Sequence, residues 1–434
     1  MEICPQIYRP RRPRESPLYV LLESLYEQVK LVWEERFEKR YGFWRGLWDG
    51  AVARYLDCGI VERGFARVRC DTCAREYLLA FSCKARGVCP SCGAKRAAEF
   101  AAFLQDEVAW EVGHAQWVLT IPKMLRIYFL YHRELVGELS RAAYETIHEL
   151  MAAAVEEKGF RPGVVTVVQT FGGSANFNPH VHAIATRGGW TASGVWVPVP
   201  YVDERAAERL FAHKILRMLR EKDLLSERRI ELLLSWRRSG FSVHNRVRVD
   251  AGDARGLEAL ARYLMRSPVS LARMKFVPEL GEVIYTSKNG HGRAEGQADE
   301  RVDAMEFIAR VLVQIPEPRR HSARYFGFYS CAARGKRRKA HAEVDQCAPG
   351  TASESTSEVA PVPARIAAMK RTWAELIRRI YEVDPLVCRC GGSMRVISFI
   401  TQPRVIERIL DHLRHSQPRA RGSPRAPTPS PALA

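Results

Sequence analysis

The sequence has no run of apolar residues long enough to cross a membrane as a helix. Such a helix needs about 18 or more consecutive apolar residues, and the nearest stretch, residues 117–131, is interrupted by Lys123 and Arg126. A secretory signal is also missing, because residues 1–17 contain several arginines but no apolar segment after them. These absences predict a cytoplasmic protein rather than a membrane-spanning or secreted one.

An internal repeat is absent, as is the motif Gly-x-x-x-x-Gly-Lys-Ser/Thr with which nucleotide hydrolases bind phosphates. Acidic residues are scarce relative to basic ones. The chain has 67 Lys and Arg residues against 49 Asp and Glu, which leaves a formal net charge of +18 and a pI of about 9.6. A charge excess of this sign predicts a polyanionic partner such as nucleic acid.

The length of 434 residues and a hydrophobic fraction of 47% predict a globular protein of several domains. We expect an α+β fold with a helical, cysteine-rich N-terminal domain over residues 1–112. A central domain over residues 113–330 is expected to contain an antiparallel sheet with its helices on one face. A basic segment and disordered linker over residues 331–363, a small C-terminal α/β domain over residues 364–415 and a disordered tail over residues 416–434 follow.

The central domain shows clear strand and helix patterns. Residues 164–171 and 180–186 are rich in β-branched residues and are joined by a Gly-Gly-Ser-Ala-Asn turn, which predicts a hairpin. Residues 116–121 predict a further strand, and residues 125–156 predict a long helix or a helix pair.

Five of the eleven cysteines lie within residues 70–92, and in a reducing cytosol such crowding favours metal binding over disulfides. Four of them form two Cys-x-x-Cys pairs that are separated by 15 residues: Cys70, Cys73, Cys89 and Cys92. Four convergent thiolates predict one closed, structural Zn²⁺ site. Cys83 lies between the pairs and is an alternative ligand. The other interpretation is that these are reduced cysteines, buried as small apolar side chains.

Two weaker features accompany the cysteines. Cys388 and Cys390 form only half of such a motif, with one residue between the sulfurs and no second pair downstream, so no metal site is predicted there. Basic residues surround the N-terminal pairs: Lys84, Arg86, Lys95 and Arg96. We expect this surface to face DNA, and a solvated basic face is the alternative.

A histidine pair stands in the second strand of the predicted hairpin. His180 and His182 are separated by one residue, and alternate side chains of a strand project from the same face, so both imidazoles can reach one divalent ion. Gln169, a polar residue within the apolar first strand, can add an oxygen ligand to the two nitrogens. The alternatives are ordinary surface or core histidines and an outward-facing glutamine.

Tyr263 lies at the border of an apolar stripe, in a helix that Asp253 can cap and Pro268 stops. Such a tyrosine usually covers core. Its phenol can instead reach the groove between this helix and the histidine strand, where Arg266 can hold a phosphate. Arg262 is expected to contact DNA beside it.

Several segments, taken in order, resemble a known family. They are residues 81–92, 116–122, 169–173 and 176–182 (Asn-Phe-Asn-Pro-His-Val-His), followed by residues 261–263, 315–321, 324–327 and 384–386. Over roughly residues 8–414 the sequence is similar to the rolling-circle transposases of the insertion sequence 91 type, including the related common-region elements. So many ordered segments are more specific than any single motif.

The resemblance implies an HUH endonuclease, in which His180 and His182 hold Mg²⁺ or Mn²⁺ and Tyr263 attacks DNA. Members with two tyrosines carry them four residues apart, and these positions here hold Ala259 and Ser267, so the chain resembles a single-tyrosine member. The C-terminal Cys-x-Cys departs from the Cys-x-x-Cys usual in the family, and no zinc is assigned to it.

The resulting prediction is a bacterial, cytoplasmic and DNA-associated transposase with structural zinc, which cleaves and rejoins single-stranded DNA through a 5′-phosphotyrosyl intermediate. Its expected partners are single-stranded element ends, target DNA and host replication proteins, since the chain has no nucleotide-hydrolase motif of its own for unwinding. The alternatives are a rolling-circle replication initiator or relaxase with the same chemistry, and a non-catalytic, zinc-dependent DNA-binding protein.

Overall fold

The computed structural model describes residues 11–155, 157–199, 201–236, 239–286, 299–346 and 387–416. The described residues form two compact units. The first contains the described residues within 12–56 and 83–346, and the second contains residue 11, residues 57–82 and residues 387–416. Within the ranges described, no helix is both long and apolar enough to span a bilayer.

The first unit begins with a helical region, as the sequence predicts. Its helices are α1 (Pro17–Leu31), α2 (Trp33–Arg36), α3 (Glu38–Tyr41) and α4 (Leu47–Leu56). Helix α1 begins sharply because the Ser16 hydroxyl accepts the N–H of Tyr19 at 3.2 Å and Pro17 occupies the first helical position. Trp33 is buried and packs edge-on against Trp48, with ring centroids 4.8 Å apart. Aromatic burial of this kind holds the short helices together.

Antiparallel strands form the central sheet of the first unit. They are β3 (His114–Thr120), β4 (Gly163–Phe171), β5 (Phe177–Thr186), β8 (Ser242–His244), β9 (Arg248–Val249) and β13 (Ala323–Gly327). Their order is β13-β4-β5-β3-β8, and β9 also pairs with β3. The predicted hairpin is confirmed, since β4 and β5 pair directly with Gln169 opposite His180 and Val167 opposite His182.

Helices cover both faces of this sheet. One face contacts α6 (Arg126–Tyr131), α7 (Leu135–Val155) and α8 (Glu204–Glu221) through Trp117, Leu119, Val181 and Ala183. The opposite face contacts α5 (Pro90–Phe103) and α10 (Ala254–Leu264) through Val165, Val167 and Ile184. We expected helices on one face only. Strand β5 is buried at every position from Val181 to Thr186, and a strand that is apolar on both faces has to be covered on both.

The remaining elements of the first unit are smaller. They are β6 (Gly188–Trp190) paired with β7 (Trp196–Pro198), helix α9 (Glu227–Ser235), a sheet of β10 (Met274–Val277), β11 (Glu282–Tyr285) and β12 (Glu300–Asp303), and helix α11 (Ala304–Leu312).

Helix α12 spans Cys331–Gln346. From the composition, we expected a basic segment and a disordered linker over residues 331–363. The segment is ordered because its arginines stack on aromatic rings. The Arg337 guanidinium lies 3.8 Å from the centre of the Phe328 ring, and Arg334 lies 5.3 Å from the ring of Phe103. The linker prediction therefore does not hold for residues 331–346. The rest of that linker, the first part of the predicted C-terminal domain and nearly all of the predicted tail lie outside the described residues.

The second unit is a small antiparallel sheet with a helix. Its strands are β1 (Phe65–Cys70), β2 (Glu76–Ala80) and β14 (Met394–Ile400), in the order β14-β1-β2, followed by α13 (Pro403–Ser416). Cys70 lies opposite Met394 in the register of β1 and β14. This pairing joins the cysteine-rich ribbon and the C-terminal segment in one unit, whereas the domain boundaries expected from the sequence separate them.

Candidate active site and metal centres

The two histidines of the site lie side by side on β5. His180 and His182 project from the same face of the sheet, toward α10, and His182 is only 3% exposed. Their Nε2 atoms are 3.1 Å apart. The predicted pairing of the two imidazoles is therefore present in the described structure, with a ring nitrogen of each turned toward the other.

Hydrogen bonds to the other ring nitrogens orient both imidazoles. His180 Nδ1–H donates to the backbone carbonyl of Asn178 at 2.7 Å. The Gln116 amide Nε2–H donates to His182 Nδ1 at 3.1 Å. Gln116 is buried on β3, and the sequence reasoning did not identify it as a site residue. The available signal was a polar residue within an apolar strand, which is the same signal that identified Gln169.

Both histidines are neutral at physiological pH. Burial, the neighbouring His180 and the Arg266 guanidinium together lower the pKa of His182 to about 3. Burial, together with Arg266 and Arg126, also lowers the pKa of His180. A neutral imidazole keeps a nitrogen lone pair that can bind a metal ion.

Gln169 connects the sheet to the end of α10. Its side chain is 2% exposed and lies opposite His180. The Nε2–H group donates to the carbonyls of Tyr263 and Leu264, at 3.2 Å and 2.9 Å. The Oε1 atom is buried and has no hydrogen-bond partner in the described part of the chain. A buried oxygen without a partner is costly, and this one remains available to a ligand.

Tyr263 lies beside the histidines near the end of α10. Its side chain is 38% exposed, and its ring meets the His182 ring edge-on with centroids 5.4 Å apart. The Arg266 guanidinium lies 4.3 Å from the centre of the Tyr263 ring and 5.5 Å from that of Phe171. The described structure thus brings Tyr263, Arg266 and the histidines together.

Two other tyrosines of the first unit, Tyr285 and Tyr325, lie elsewhere. Tyr285 is 1% exposed, and its hydroxyl accepts the N–H of Ser270 at 3.0 Å. Tyr325 is half-buried on β13, where Arg334 stacks against it. Among the described residues, the tyrosine ring that contacts the histidine pair is that of Tyr263, which is therefore the tyrosine best placed for chemistry there.

A basic cleft adjoins the site. It has a volume of about 150 Å³, and its walls include Gln169, Leu264 and Ser267. Its arginines are Arg86, Arg96, Arg133, Arg266, Arg320 and Arg324. Among the other predicted DNA-binding residues, Lys95 lies 3.8 Å from Glu99 and Arg262 lies 2.8 Å from Glu258, while Lys84 is exposed.

The cysteines form two groups that differ from the predicted set. In the first unit the sulfurs of Cys83, Cys89 and Cys92 lie within 4.8 Å of one another. In the second unit a further group, also within 4.8 Å, consists of Cys70, Cys73, Cys388 and Cys390. The structure therefore does not join the two Cys-x-x-Cys pairs in one site. Instead, it places Cys388 and Cys390, to which no metal was assigned, beside Cys70 and Cys73.

The reason lies in strand pairing. Spacing along the chain shows which cysteines can converge, but β1 pairs with β14, and this contact delivers the C-terminal cysteines to Cys70 and Cys73. The hydrogen bond from the backbone N–H of Cys73 lowers the pKa of the Cys70 thiol to about 6, which favours the thiolate that metals bind.

Known protein families match two parts of the chain. A family model described as "Transposase zinc-binding domain" matches residues 33–121, and one described as "Putative transposase" matches residues 163–337. The chain is 25% identical over 404 residues to the "Transposase for insertion sequence element IS801" of Pseudomonas savastanoi pv. phaseolicola, covering 89% of this chain and 92% of that protein. It is 28% identical over 280 residues to the "Putative transposase y4qJ" of Sinorhizobium fredii (strain NBRC 101917 / NGR234), covering 60% of this chain and 68% of the relative. No solved structure matches the chain.

Both family models describe transposases. One covers the N-terminal cysteines and the other covers the histidine site, so the protein is a transposase with a zinc-binding domain. More particularly, the chain belongs to the insertion sequence 91 family of transposases, and the resemblance read from its motifs is confirmed.

Proposed function

We propose that the chain cleaves and rejoins single-stranded DNA as an HUH-type tyrosine transposase, through a covalent 5′-phosphotyrosyl intermediate. The observation that carries the proposal is the placement of Tyr263 against His182, on the sheet face where His180 and Gln169 also lie. A nucleophile, a candidate metal centre and a cationic side chain thus meet at one point, as nucleophilic phosphoryl transfer requires.

The donor set fits a hard divalent ion such as Mg²⁺ or Mn²⁺. Two neutral imidazoles turn their Nε2 atoms toward each other, and His182 Nε2 has a free lone pair once the Gln116 amide is turned so that its oxygen accepts from His182 Nδ1–H. Among the described residues, the buried Oε1 atom of Gln169 has no hydrogen-bond partner. His180, His182 and Gln169 would hold the ion, which when bound polarises the scissile phosphate and neutralises developing negative charge.

Tyr263 supplies the nucleophile. Its phenolic oxygen forms a bond to phosphorus as the bond between phosphorus and the 3′-oxygen breaks. The proton lost by the phenol is taken up through solvent by the departing oxygen, which becomes a 3′-hydroxyl. One phosphodiester is exchanged for another, so rejoining is the reverse attack by a 3′-hydroxyl and consumes no nucleotide. The freed 3′-end can prime replication by host proteins.

Arg266 and the basic cleft account for DNA binding. Arg266 lies over the Tyr263 ring and also lines the cleft, so it can hold the phosphate that the phenol attacks. The other arginines of the cleft can neutralise phosphates on either side of the cleavage point. A groove of this charge suits a single strand, whose backbone is accessible and flexible.

The covalent intermediate provides the test. Single-stranded oligonucleotides that carry the ends of the element, incubated with the protein and Mn²⁺, should give a protein–DNA adduct that survives denaturation. Tyr263→Phe keeps the ring and its packing but removes the nucleophilic oxygen, so the adduct should disappear completely. Tyr131→Phe is the matched control, because Tyr131 is 40% exposed and lies in α6 rather than at the histidines. An adduct of undiminished yield with Tyr263→Phe would refute the proposal.

A further inference from the structure

We propose that Cys70, Cys73, Cys388 and Cys390 together bind a structural Zn²⁺ that fastens the C-terminal segment to the cysteine-rich ribbon. The zinc-binding family model ends at residue 121 and does not include the two C-terminal cysteines. All four residues belong to the second unit, so the site lies within one compact body.

The sulfur geometry fits a tetrahedral ion. The Sγ atoms of Cys70 and Cys390 are 3.6 Å apart, and those of Cys73 and Cys388 are 3.5 Å apart. Four thiolates at the usual Zn–S distance of about 2.3 Å are separated by roughly 3.8 Å along each edge of the tetrahedron. A disulfide would require about 2.05 Å, so the sulfurs are spaced as metal ligands and not as a covalent pair.

Each pair of cysteines sits in a tight backbone turn. Ala74 N–H donates to the Cys70 carbonyl at 3.1 Å, and Ala74 has a positive φ of 57°. In the C-terminal turn, Gly391 N–H donates to the Cys388 carbonyl at 2.9 Å, and Gly391 has a φ of 80°. Glycine adopts this conformation without strain, so the C-terminal motif can direct both sulfurs to one side although only one residue separates them.

The two turns touch at Gly392. A Cβ atom added there would lie 3.0 Å from Cys70 Sγ and closer still to Thr72 Oγ1. Only glycine therefore lets the C-terminal turn approach the first pair this closely. The Asp71 N–H donates to the Ser393 carbonyl at 3.0 Å, so the backbone itself joins the two turns beside the sulfurs.

The site is closed, and the buried apolar cluster around it is small. Four sulfurs leave no coordination position for a substrate, which marks a structural site. The buried apolar cluster around it consists of Val68, Cys70, Cys388 and Met394. A small domain with a small core commonly depends on a metal for stability. The unfolded chain has no preformed metal site, so the free energy of metal binding adds to the free energy of folding.

Zinc content of the full-length protein tests the inference. In metal analysis of protein purified under reducing conditions, the double variant Cys388→Ser/Cys390→Ser should contain one Zn²⁺ per chain fewer than the parent protein. Cys331→Ser is the matched control, since Cys331 is exposed in α12 of the first unit, and its zinc content should be unchanged. Equal zinc content in the double variant and the parent would overturn the inference.

A second variant separates metal binding from a general failure to fold. Gly392→Ala keeps every sulfur but forces the two turns apart, so a chelator should remove one zinc from it at least several-fold faster than from the parent protein. Gly335→Ala is the control, because a Cβ there meets no atom of the described residues within 4 Å. Identical release rates for Gly392→Ala and the parent, or a native disulfide between these cysteines found by peptide mapping, would contradict the proposed site.

Discussion

At the scale of single residues, hydrogen bonds decide which nitrogen of each histidine carries the proton. His180 donates from Nδ1 to a backbone carbonyl, so its neutral ring has an unprotonated Nε2. Nδ1 of His182 accepts from the Gln116 amide, so its proton lies on Nε2 and points at His180. If the Gln116 amide turns over, its Oε1 accepts from His182 Nδ1–H instead, and the Nε2 lone pair is freed for a metal. Gln116 is thus a positioning residue for His182.

This role predicts a loss of metal affinity without loss of DNA binding. Gln116→Leu should weaken Mn²⁺ binding by about 10- to 100-fold, as is typical when the partner of a metal-binding histidine is removed. Gln116→Glu should restore most of the affinity, because a carboxylate also accepts from Nδ1–H. His182→Ala should abolish the metal-dependent adduct.

Calorimetric titration with Mn²⁺ and the yield of covalent adduct measure these effects, while binding to the same oligonucleotide without metal reports on the basic surface. His244→Ala is the control, as His244 is an exposed histidine of the same sheet on β8. Full metal affinity in Gln116→Leu would show that the amide has no role in orienting His182.

At the scale of secondary-structure elements, α10 carries the proposed nucleophile, Tyr263, and is held at both ends. Asp253 caps its N-terminus by accepting the N–H of Gly256 at 2.9 Å. Gln169 donates to the last carbonyls of the helix from β4. The position of Tyr263 relative to the histidines therefore depends on the Asp253 cap at the start of α10 and on the hydrogen bonds from Gln169 at its end.

The cap of α10 should matter more for the reaction than for stability. Asp253→Ala should lower the free energy of unfolding by about 0.5–2 kcal/mol, the usual cost of losing such a cap. It should slow adduct formation roughly 10-fold or more, because small displacements of a reacting group carry large rate penalties. Asp203→Ala removes the equivalent cap of α8, where Asp203 accepts the N–H of Ala206 at 2.6 Å.

Denaturant unfolding and single-turnover adduct kinetics separate the two quantities. We expect Asp203→Ala to lose similar stability but to keep the parent rate of adduct formation. If both variants slow the reaction equally, the effect belongs to global stability and not to the placement of α10.

At the scale of the whole molecule, part of the positive charge behind the net +18 lies along one cleft. Arginines from α5, from the residues just after α10 and from the segment before β13 line the cleft beside the histidine site, and they include Arg96, Arg266 and Arg320. When a nucleic acid binds basic residues along a groove, counterions condensed on its phosphates are released. Part of the charge excess read from the composition therefore lies beside the proposed site.

Binding of single-stranded DNA should weaken steeply with salt. Each phosphate contact contributes a slope of about −0.7 to the plot of log affinity against log salt concentration. Arg320→Ala should make that slope shallower by about 0.7, whereas Arg228→Ala, an exposed arginine on α9 that does not line the cleft, should leave it unchanged. Fluorescence anisotropy over a range of salt concentrations measures the slopes, and equal slopes for all three proteins would argue against the cleft as the DNA path.

Features encoded by local sequence were predictable. The alternation of a β-strand places His180 and His182 on one face whatever the rest of the fold does, and the glycine-rich turn specifies the hairpin that sets Gln169 opposite His180. The helix with Tyr263 begins at the predicted cap. These are short-range consequences of backbone geometry, so one sequence is enough to state them.

Features that depend on distant parts of the chain were decided only by the tertiary structure. Composition suggested a linker where Arg337 and its neighbours instead stack on aromatic rings from other elements. Gln116 became a site residue only because β3 pairs with β5 and brings it to His182. Cys70 and Cys73 meet Cys388 and Cys390, and not the pair that follows them in sequence, because β1 pairs with β14. Ligand spacing is local information, whereas the choice among competing ligands depends on which strands pair, and that is settled by the burial and hydrogen bonding of the folded chain as a whole.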